Sequence, residues 1–513
     1  MHQRGLGAAV WPCRGDPMSA GSPFGMLGQA LRRAIGVRDG EPAADRRAKL
    51  RARVERVVPA ADARRVTAFL SELIGAPLDD DGDVQLRAAR ANPVLMGDQM
   101  QRAWEDFLAG ECALHPLLVV FEDLHWGDLP SVRFMDAALR NLHEAPLMVL
   151  ALGRPELNAQ FPSLWVERSP TEMRLGELSR KASERLAREV LGQSFPQDVV
   201  ARIVDRAGGN AFYLEELIRA ASQGKASDLP ETVLAMVQAR LEELEPEARR
   251  VLRAASIFGQ AFWLGGVTAL LGGDEETNEV GEWLRLLVER ELVVRRGDAR
   301  FPGQLEYAFR HALVRDAAYA TFTDKDRELG HRLAGDWLDR AGEPDAQVLA
   351  EHFERGAELG RAAGFYVRAA EQALEANDFS AVLEHAERGL ACGAAGEALG
   401  RLWLRVAEAR RWRGESGDGL TAAEEAMRAL SEASPLWYRA ASQLVNAAAH
   451  GGDHARLVAF VERLLAIRVE GDPRPAIAPM CLAATNLIYA ARYDLADALI
   501  ARAEELAAAV GDD

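Results

Sequence analysis

Cysteine is scarce in this chain. Only 4 occur in 513 residues, Cys13, Cys112, Cys392 and Cys481, and none stand in C-x-x-C spacing. The scatter argues against a disulfide framework and against a zinc site. Long apolar runs are also missing: no stretch approaches the about 18 residues that a membrane-spanning helix needs. The first residues, MHQRGLGAAVWPCRGDP, hold a basic residue and a short apolar patch, but no apolar core of about 7 to 15 residues such as a secretory signal requires. A cytoplasmic location is the expectation. Positive charge is not in excess; the net charge of -17 disfavours nonspecific nucleic-acid binding by the whole chain and leaves a local basic face open. Protein-kinase signatures, an H-R-D catalytic loop and a D-F-G triplet, are absent. The absence with the largest consequence is that of the phosphate loop G-x-x-x-x-G-K-[ST], whose backbone N–H groups and lysine neutralise nucleotide phosphates. Its nearest fragment, Gly224-Lys225-Ala226, lacks both a first glycine at the right spacing and the hydroxyl residue.

Against that absence stands the run LLVVFEDLHWGD from Leu117 to Asp128. Five apolar residues followed by two acids read as a buried parallel strand. The C-terminal ends of such strands face the ligand crevice of open α/β sheets, so Glu122 and Asp123 would emerge where a Mg²⁺-nucleotide sits. The chain therefore carries half an ATP site. The length predicts three or four domains at about 150 residues each. A second strand-like run, LMVLAL at 147–152, follows a helix after Pro130, and the alternation predicts a parallel sheet with crossover helices. GAAVWPCRGDP at 7–17 reads as a short strand leaving into a Pro/Gly loop. Residues 36–92, rich in Arg, Ala and Asp, read as helices and loops capping the sheet, with Asp79 to Asp83 a solvated turn.

From Leu229-Pro230 the period changes. LEELEPEARRVLRAASIFG at 241–259 and VGEWLRLLVERELV at 280–293 have helical spacing, and two strand-like runs within ELVVRRGDARFPGQLEYAFRH flank a Gly/Pro-rich turn. Helices followed by a β-hairpin make a winged-helix pattern. It reads as a structural lid, or as a DNA reader whose helix before the hairpin is acid-rich rather than basic. Beyond about residue 345 almost everything is helical, with turn signals at Asn377-Asp378, Gly417-Asp418, Gly452-Asp453 and Tyr493-Asp494. The aspartate spacings of 40, 35 and 41 suit paired-helix repeats of the tetratricopeptide kind. Alanines at Ala369-Ala370, Ala407 and Ala447 to Ala449 mark close helix approach, and stacked pairs present an extended concave binding surface. The last helix, ADALIARAEELAAAV, ends with the chain and has no polar capping helix, which reads as a C-terminal truncation or a frayed end. The expected architecture is an incomplete α/β P-loop-NTPase-like domain at 1–228, a mainly α winged-helix region at 229–344, and an α-solenoid of TPR-like repeats at 345–513.

The blocks RGDPMSAGSPFGMLGQALR, VVFEDLHWGD, LMVLALGRPE, GGNAFYLEEL and FRHALVRDAAY, in this order, resemble the STAND-type AAA-related ATPase modules of large bacterial signalling proteins. Those modules occur fused to serine/threonine kinases, adenylate cyclases and LuxR-type regulators. The resemblance runs from about residue 7 to 390, and EDLHW is its most specific block. It implies ATP/ADP and Mg²⁺ as cofactors, protein partners on the repeats, and a kinase or cyclase domain encoded upstream, outside this chain; oligomerisation is left open. Relatives place a strand, the phosphate loop and a helix before the RGDP block, which here starts at residue 14. The reading frame is then either a fragment or a degenerate ATPase kept as a scaffold, and the fragment is the favoured expectation.

Carried over by position, Glu122 matches the acid that holds Mg²⁺ through water and Asp123 the acid that orients the attacking water. Relatives often have Asp first, so the two roles are exchangeable, and the alternative is that both acids cap the next helix. His125 and Trp126 read as packing. Arg154 matches the sensor arginine that feels the γ-phosphate, against a plain ion pair with Glu156. Gly209 and Asn210, within GGNAFY at 208–213, match the loop that closes over adenine and ribose, although Ala211 stands where proline is common. His311 matches the winged-helix histidine that touches the ADP β-phosphate, against a core or helix-capping role. Three functions follow: a nucleotide-sensing regulatory module that is catalytically incomplete as written, a nucleotide-independent repeat scaffold, and a transcription regulator reading DNA through the winged helix.

Overall fold

A computed structural model of the chain describes residues 7–79, 83–222, 232–273, 277–297, 299–469 and 471–510. The expected boundary at Leu229-Pro230, the Gly224-Lys225-Ala226 fragment and most of the 79–83 turn lie outside the described residues. Two compact units form, Met1–Leu164 with Gly335–Asp513, and Trp165–Ala334. The α/β segment and the repeats belong to one unit because side chains far apart in sequence join them. The Gln347 amide donates to the Ala20 carbonyl (2.7 Å), and the Ser22 hydroxyl donates to Gln347 Oε1 (3.1 Å).

In the first unit, β1 (Ala9–Arg14), β2 (Leu117–Glu122) and β3 (Leu147–Ala151) form a parallel sheet in that order, at the places where the apolar runs predict strands. The register aligns Trp11 with Val119 and Val149, and Cys13 with Phe121 and Ala151. Period-2 alternation puts these rows on one face. Trp11, Cys13, Val119 and Phe121 are buried there, with Trp11 stacked on Phe107 and tilted against Trp104. The opposite face carries Val10, Leu118 and Met148 in one row, and Val10 and Met148 are 42% and 60% exposed. A parallel sheet is normally covered on both faces. Here β2 is half-buried rather than fully buried, and among the described residues β3 has no strand on its outer edge.

Between β1 and β2 run α1 (Gly25–Ile35), α2 (Ala43–Val57), α3 (Ala60–Leu73), α4 (Val84–Ala91) and α5 (Pro93–Leu114). Then α6 (Leu129–Asn141) precedes β3, and a short α7 (Leu157–Gln160) follows it. One carboxylate starts two of these helices. Asp128 caps α6 by accepting from the Ser131 N–H (2.7 Å), and also accepts from the Phe24 N–H (2.9 Å) and Met26 N–H (3.3 Å) at the head of α1. Two orphan helix ends are satisfied by one buried side chain.

In the second unit lie α8 (Arg180–Leu191), α9 (Gln197–Ala207), α10 (Ala211–Ser222) and α11 (Val233–Glu242). They precede α12 (Pro246–Ser256), β4 (Ala261–Trp263), α13 (Leu264–Leu271), α14 (Thr277–Glu289), β5 (Val293–Arg295), β6 (Glu306–Phe309) and α15 (Ala312–Ala320). The expected hairpin is β5–β6, and a third antiparallel strand, β4, joins it in the order β4-β6-β5. Buried Glu306 anchors the hairpin, accepting from Trp263 Nε1 (3.1 Å), the Arg300 N–H (2.7 Å) and Arg296 Nη1 (2.9 Å).

The helix α16 (Asp324–Ala341) leads into α17 (Ala346–Arg355), followed by four helix pairs. These are α18 (Leu359–Glu375) with α19 (Phe379–Ala391), α20 (Gly396–Trp412) with α21 (Ser416–Ala429), α22 (Pro435–His450) with α23 (His454–Ala466), and α24 (Arg474–Tyr489) with α25 (Tyr493–Val510). One turn recurs in all four. Asn377, Gly414, Gly452 and Ala491 adopt positive φ, at spacings of 37, 38 and 39 residues. The next N–H in each returns to the carbonyl five residues earlier: Asp378 to Ala373, Glu415 to Arg410, Asp453 to Ala448 and Arg492 to Leu487, each at 2.9 Å. That bond closes a Schellman motif. Asp378 and Asp453 also cap their second helices, whereas Asp418 and Asp494 lie inside the first turn of theirs. Ala369, Ala370, Ala407, Ala447 and Ala448 are buried between helices, and Ala449 is only half-buried. Among the described residues no helix is long and apolar enough to cross a membrane.

Candidate functional site

Glu122 ends β2, and the backbone turns sharply behind it because Asp123 is left-handed, at φ 54°. Asp tolerates that conformation better than most residues. The β1 chain leaves beside it: the Gly15 N–H donates to the Glu122 carbonyl (2.8 Å), and a Cβ on Gly15 would lie 2.4 Å from the Asp123 oxygen. Only glycine fits that approach. The strand register sets Arg14 opposite Glu122. Its Nε donates to Asp123 Oδ2 at 3.0 Å and stands 3.9 Å from Glu122 Oε2. Both acids remain partly open to solvent, and Asp123 makes no helix-capping bond, so the capping alternative is not what its side chain does.

The chain then makes a short 3-10 turn, Leu124–Trp126. His125 is buried, its Nδ1 lies 3.5 Å from the Arg154 N–H, and its Nε2 has no partner. Burial pushes its pKa below the usual imidazole value, and Asp123 opposes that shift. The His125 ring rests 4.3 Å from Trp126, and the Arg154 guanidinium lies 5.8 Å over the Trp126 indole. The two packing residues thus join the exits of β2 and β3. Arg154 is exposed, and among the described residues no ion pair links it to Glu156.

Gly209, Asn210 and His311 belong to the second unit. Gly209 has φ 80°, and a Cβ there would meet Glu177 Cβ at 2.7 Å. Asn210 starts α10, accepting from the Tyr213 N–H at 3.0 Å. The first turn of α10 meets His311, whose ring faces Phe212 at 4.4 Å and whose Nε2 is buried without a partner. His311 occupies the N-cap position of α15, but its side chain makes no capping bond. Burial lowers its pKa, and Glu215 opposes that shift. Glu215 accepts from Arg310 at 3.2 Å, and Arg310 reaches Glu291 at 3.1 Å. The structure therefore places Glu122 and Asp123 side by side in one unit, with Arg154 reaching their turn through His125 and Trp126, and in the other unit sets His311 against Phe212, two residues beyond Asn210.

Two residues of consequence are not singled out by sequence patterns. Arg14 is found only through the β1–β2 register, and Asp128 only through its contacts with α1. For a divalent cation the donor set is short: among the described residues no group of three or more His, Cys, Asp or Glu side chains could hold a metal. Two carboxylates suit Mg²⁺ as an ion that keeps most of its waters, with phosphates supplying further oxygens where nucleotide is bound. A phosphate cradle is not supplied by any glycine loop of this sequence.

No protein-family model matches the chain. It is 27% identical over 324 residues to an uncharacterized protein of Rhizobium meliloti (strain 1021). The matched stretch is 58% of this chain and 30% of that protein. Among solved structures, a Signal Transduction ATPase with Numerous Domains (STAND) protein with a tetratricopeptide repeat sensor, from Pyrococcus horikoshii, aligns over 99% of this chain and 76% of its own. The TM-score is 0.39 and the identity 12%, a likeness too slight to carry an argument.

Proposed function

We propose that this chain is the regulatory ATPase and helical-repeat portion of a bacterial signal-transduction protein, a nucleotide-sensing switch coupled to protein partners on its repeats. The observation that carries the reading is the acid pair Glu122–Asp123 at the C-terminal end of the middle strand of a parallel sheet, where such sheets bind ligands. The same compact unit holds the helical repeats, so a change at the strand ends has a packed route to them. A Mg²⁺ ion bound with nucleotide supplies neutralisation of phosphate charge. Glu122 would hold water of the ion's shell, and Asp123 would orient the attacking water. Arg154, which lies over Trp126, would meet the γ-phosphate, exchanging a cation–π contact of about 0.5–1 kcal/mol for a charge-assisted bond.

As written, the chain supplies the acids and not the phosphate cradle. The open β3 edge and the row of Val10, Leu118 and Met148, exposed at Val10 and Met148, offer a place where a further strand and helix would complete the sheet. The isolated chain is therefore expected to bind Mg-ATP weakly. Isothermal titration tests this, and a sub-micromolar dissociation constant would overturn it. A second reading, a scaffold that binds partners without nucleotide, is favoured by one observation: Arg14 already neutralises Asp123.

A further inference from the structure

Arg14 has a geometry that its place in the sheet alone does not require. Strand pairing fixes its backbone opposite Glu122, and its N–H donates to Gln29 Oε1 at 2.8 Å. Its side chain then turns along the strand ends rather than out into solvent. It places Nε 3.0 Å from Asp123 Oδ2 and 3.9 Å from Glu122 Oε2, so one cation spans both acids. The guanidinium is about one-third exposed, and its terminal nitrogens have no other partner among the described residues.

We propose that Arg14 is an internal counter-ion that occupies the place of a divalent cation at the Glu122–Asp123 pair, so that a cation binds there only by displacing it. This rests on the reading of those acids as the metal end of the site. The contact is an autoinhibitory one. With the acids free of metal, Arg14 holds Asp123; when a cation arrives, the guanidinium is released with donors suited to phosphate oxygens. At the strand ends, solvent screens the pair, so removal of the arginine charge should raise cation affinity by about tenfold rather than by the far larger factor of a dry site.

The test is a Mn²⁺ titration of the full chain, followed by electron paramagnetic resonance of the free ion, on the wild type, Arg14→Gln, Arg14→Lys and Asp123→Asn. Arg14→Gln is expected to bind Mn²⁺ about tenfold more tightly than the wild type. Arg14→Lys keeps the charge but not the planar reach to both acids, and is expected between the two. Its intermediate affinity also guards against a failure of the glutamine variant to fold, which circular dichroism would reveal. Equal affinity in the wild type and both Arg14 variants, with loss in Asp123→Asn, overturns the counter-ion and leaves the acid-pair reading standing. Equal Mn²⁺ binding with and without Asp123, or none in any variant, overturns the acid-pair reading itself and the counter-ion with it.

Discussion

Asp128 offers a quantitative prediction, because one fully buried carboxylate holds the heads of α1 and α6. Burial raises its pKa from 3.8 to about 6, and the N–H groups of Ser131, Met26 and Phe24 pull against that rise without cancelling it. A raised folded-state pKa favours the protonated form. Its contribution to stability is fully present below the unfolded value and is lost as pH climbs through about 6. At about 1.4 kcal/mol per unit, the whole shift is worth about 3 kcal/mol, of which roughly 2 kcal/mol is lost between pH 4 and pH 7. Asp128→Asn is the diagnostic change, since it keeps one oxygen for Phe24 and Ser131 and removes the titration. Its amide faces the Met26 N–H, which adds a penalty independent of pH. Thermal melts of both proteins from about pH 4 to about pH 7.5 should show the wild type losing ground to Asp128→Asn as pH rises. A difference that stays flat across that window, or one that grows in the wild type's favour with pH, would refute the reasoning.

The repeated turn gives a paired prediction. Ala491 pays the left-handed strain that Gly452 avoids, so Ala491→Gly should stabilise by up to about 1 kcal/mol and Gly452→Ala should destabilise by a similar amount, read from thermal melts. The open sheet face gives another. Met148→Lys should leave the melting temperature nearly unchanged and reduce binding of an apolar dye, whereas a clear fall in melting temperature would mean that the face is covered in solution.

The strands were readable because each is a short apolar run: LLVVF, LMVLA and the AVWPC of β1 all lie where the sequence puts them. Their partial exposure was not readable, since burial depends on what covers the far face and not on composition. In the repeats, aspartates mark the helix starts at Asp378 and Asp453 but mislead at Asp418 and Asp494. The recurring physical requirement is a left-handed residue, and two of its four occupants, Asn377 and Ala491, are not glycine. The acid pair was legible from its position after a strand. Arg14 was not, because it lies 109 residues from Asp123 and only the strand register sets them together. The packing of the repeats against the α/β segment was hidden for the same reason: the bonds between Gln347 and both Ala20 and Ser22 join segments more than 300 residues apart.

The most direct test of the central claim is calorimetric titration of the full chain with Mg-ATP, run beside Glu122→Gln and Asp123→Asn. If the acids at the end of β2 form the metal end of a nucleotide site, the wild type binds weakly and both variants lose that binding, with their melting behaviour intact. Binding of unchanged strength in both variants, or no binding by the wild type at millimolar nucleotide, would contradict the claim.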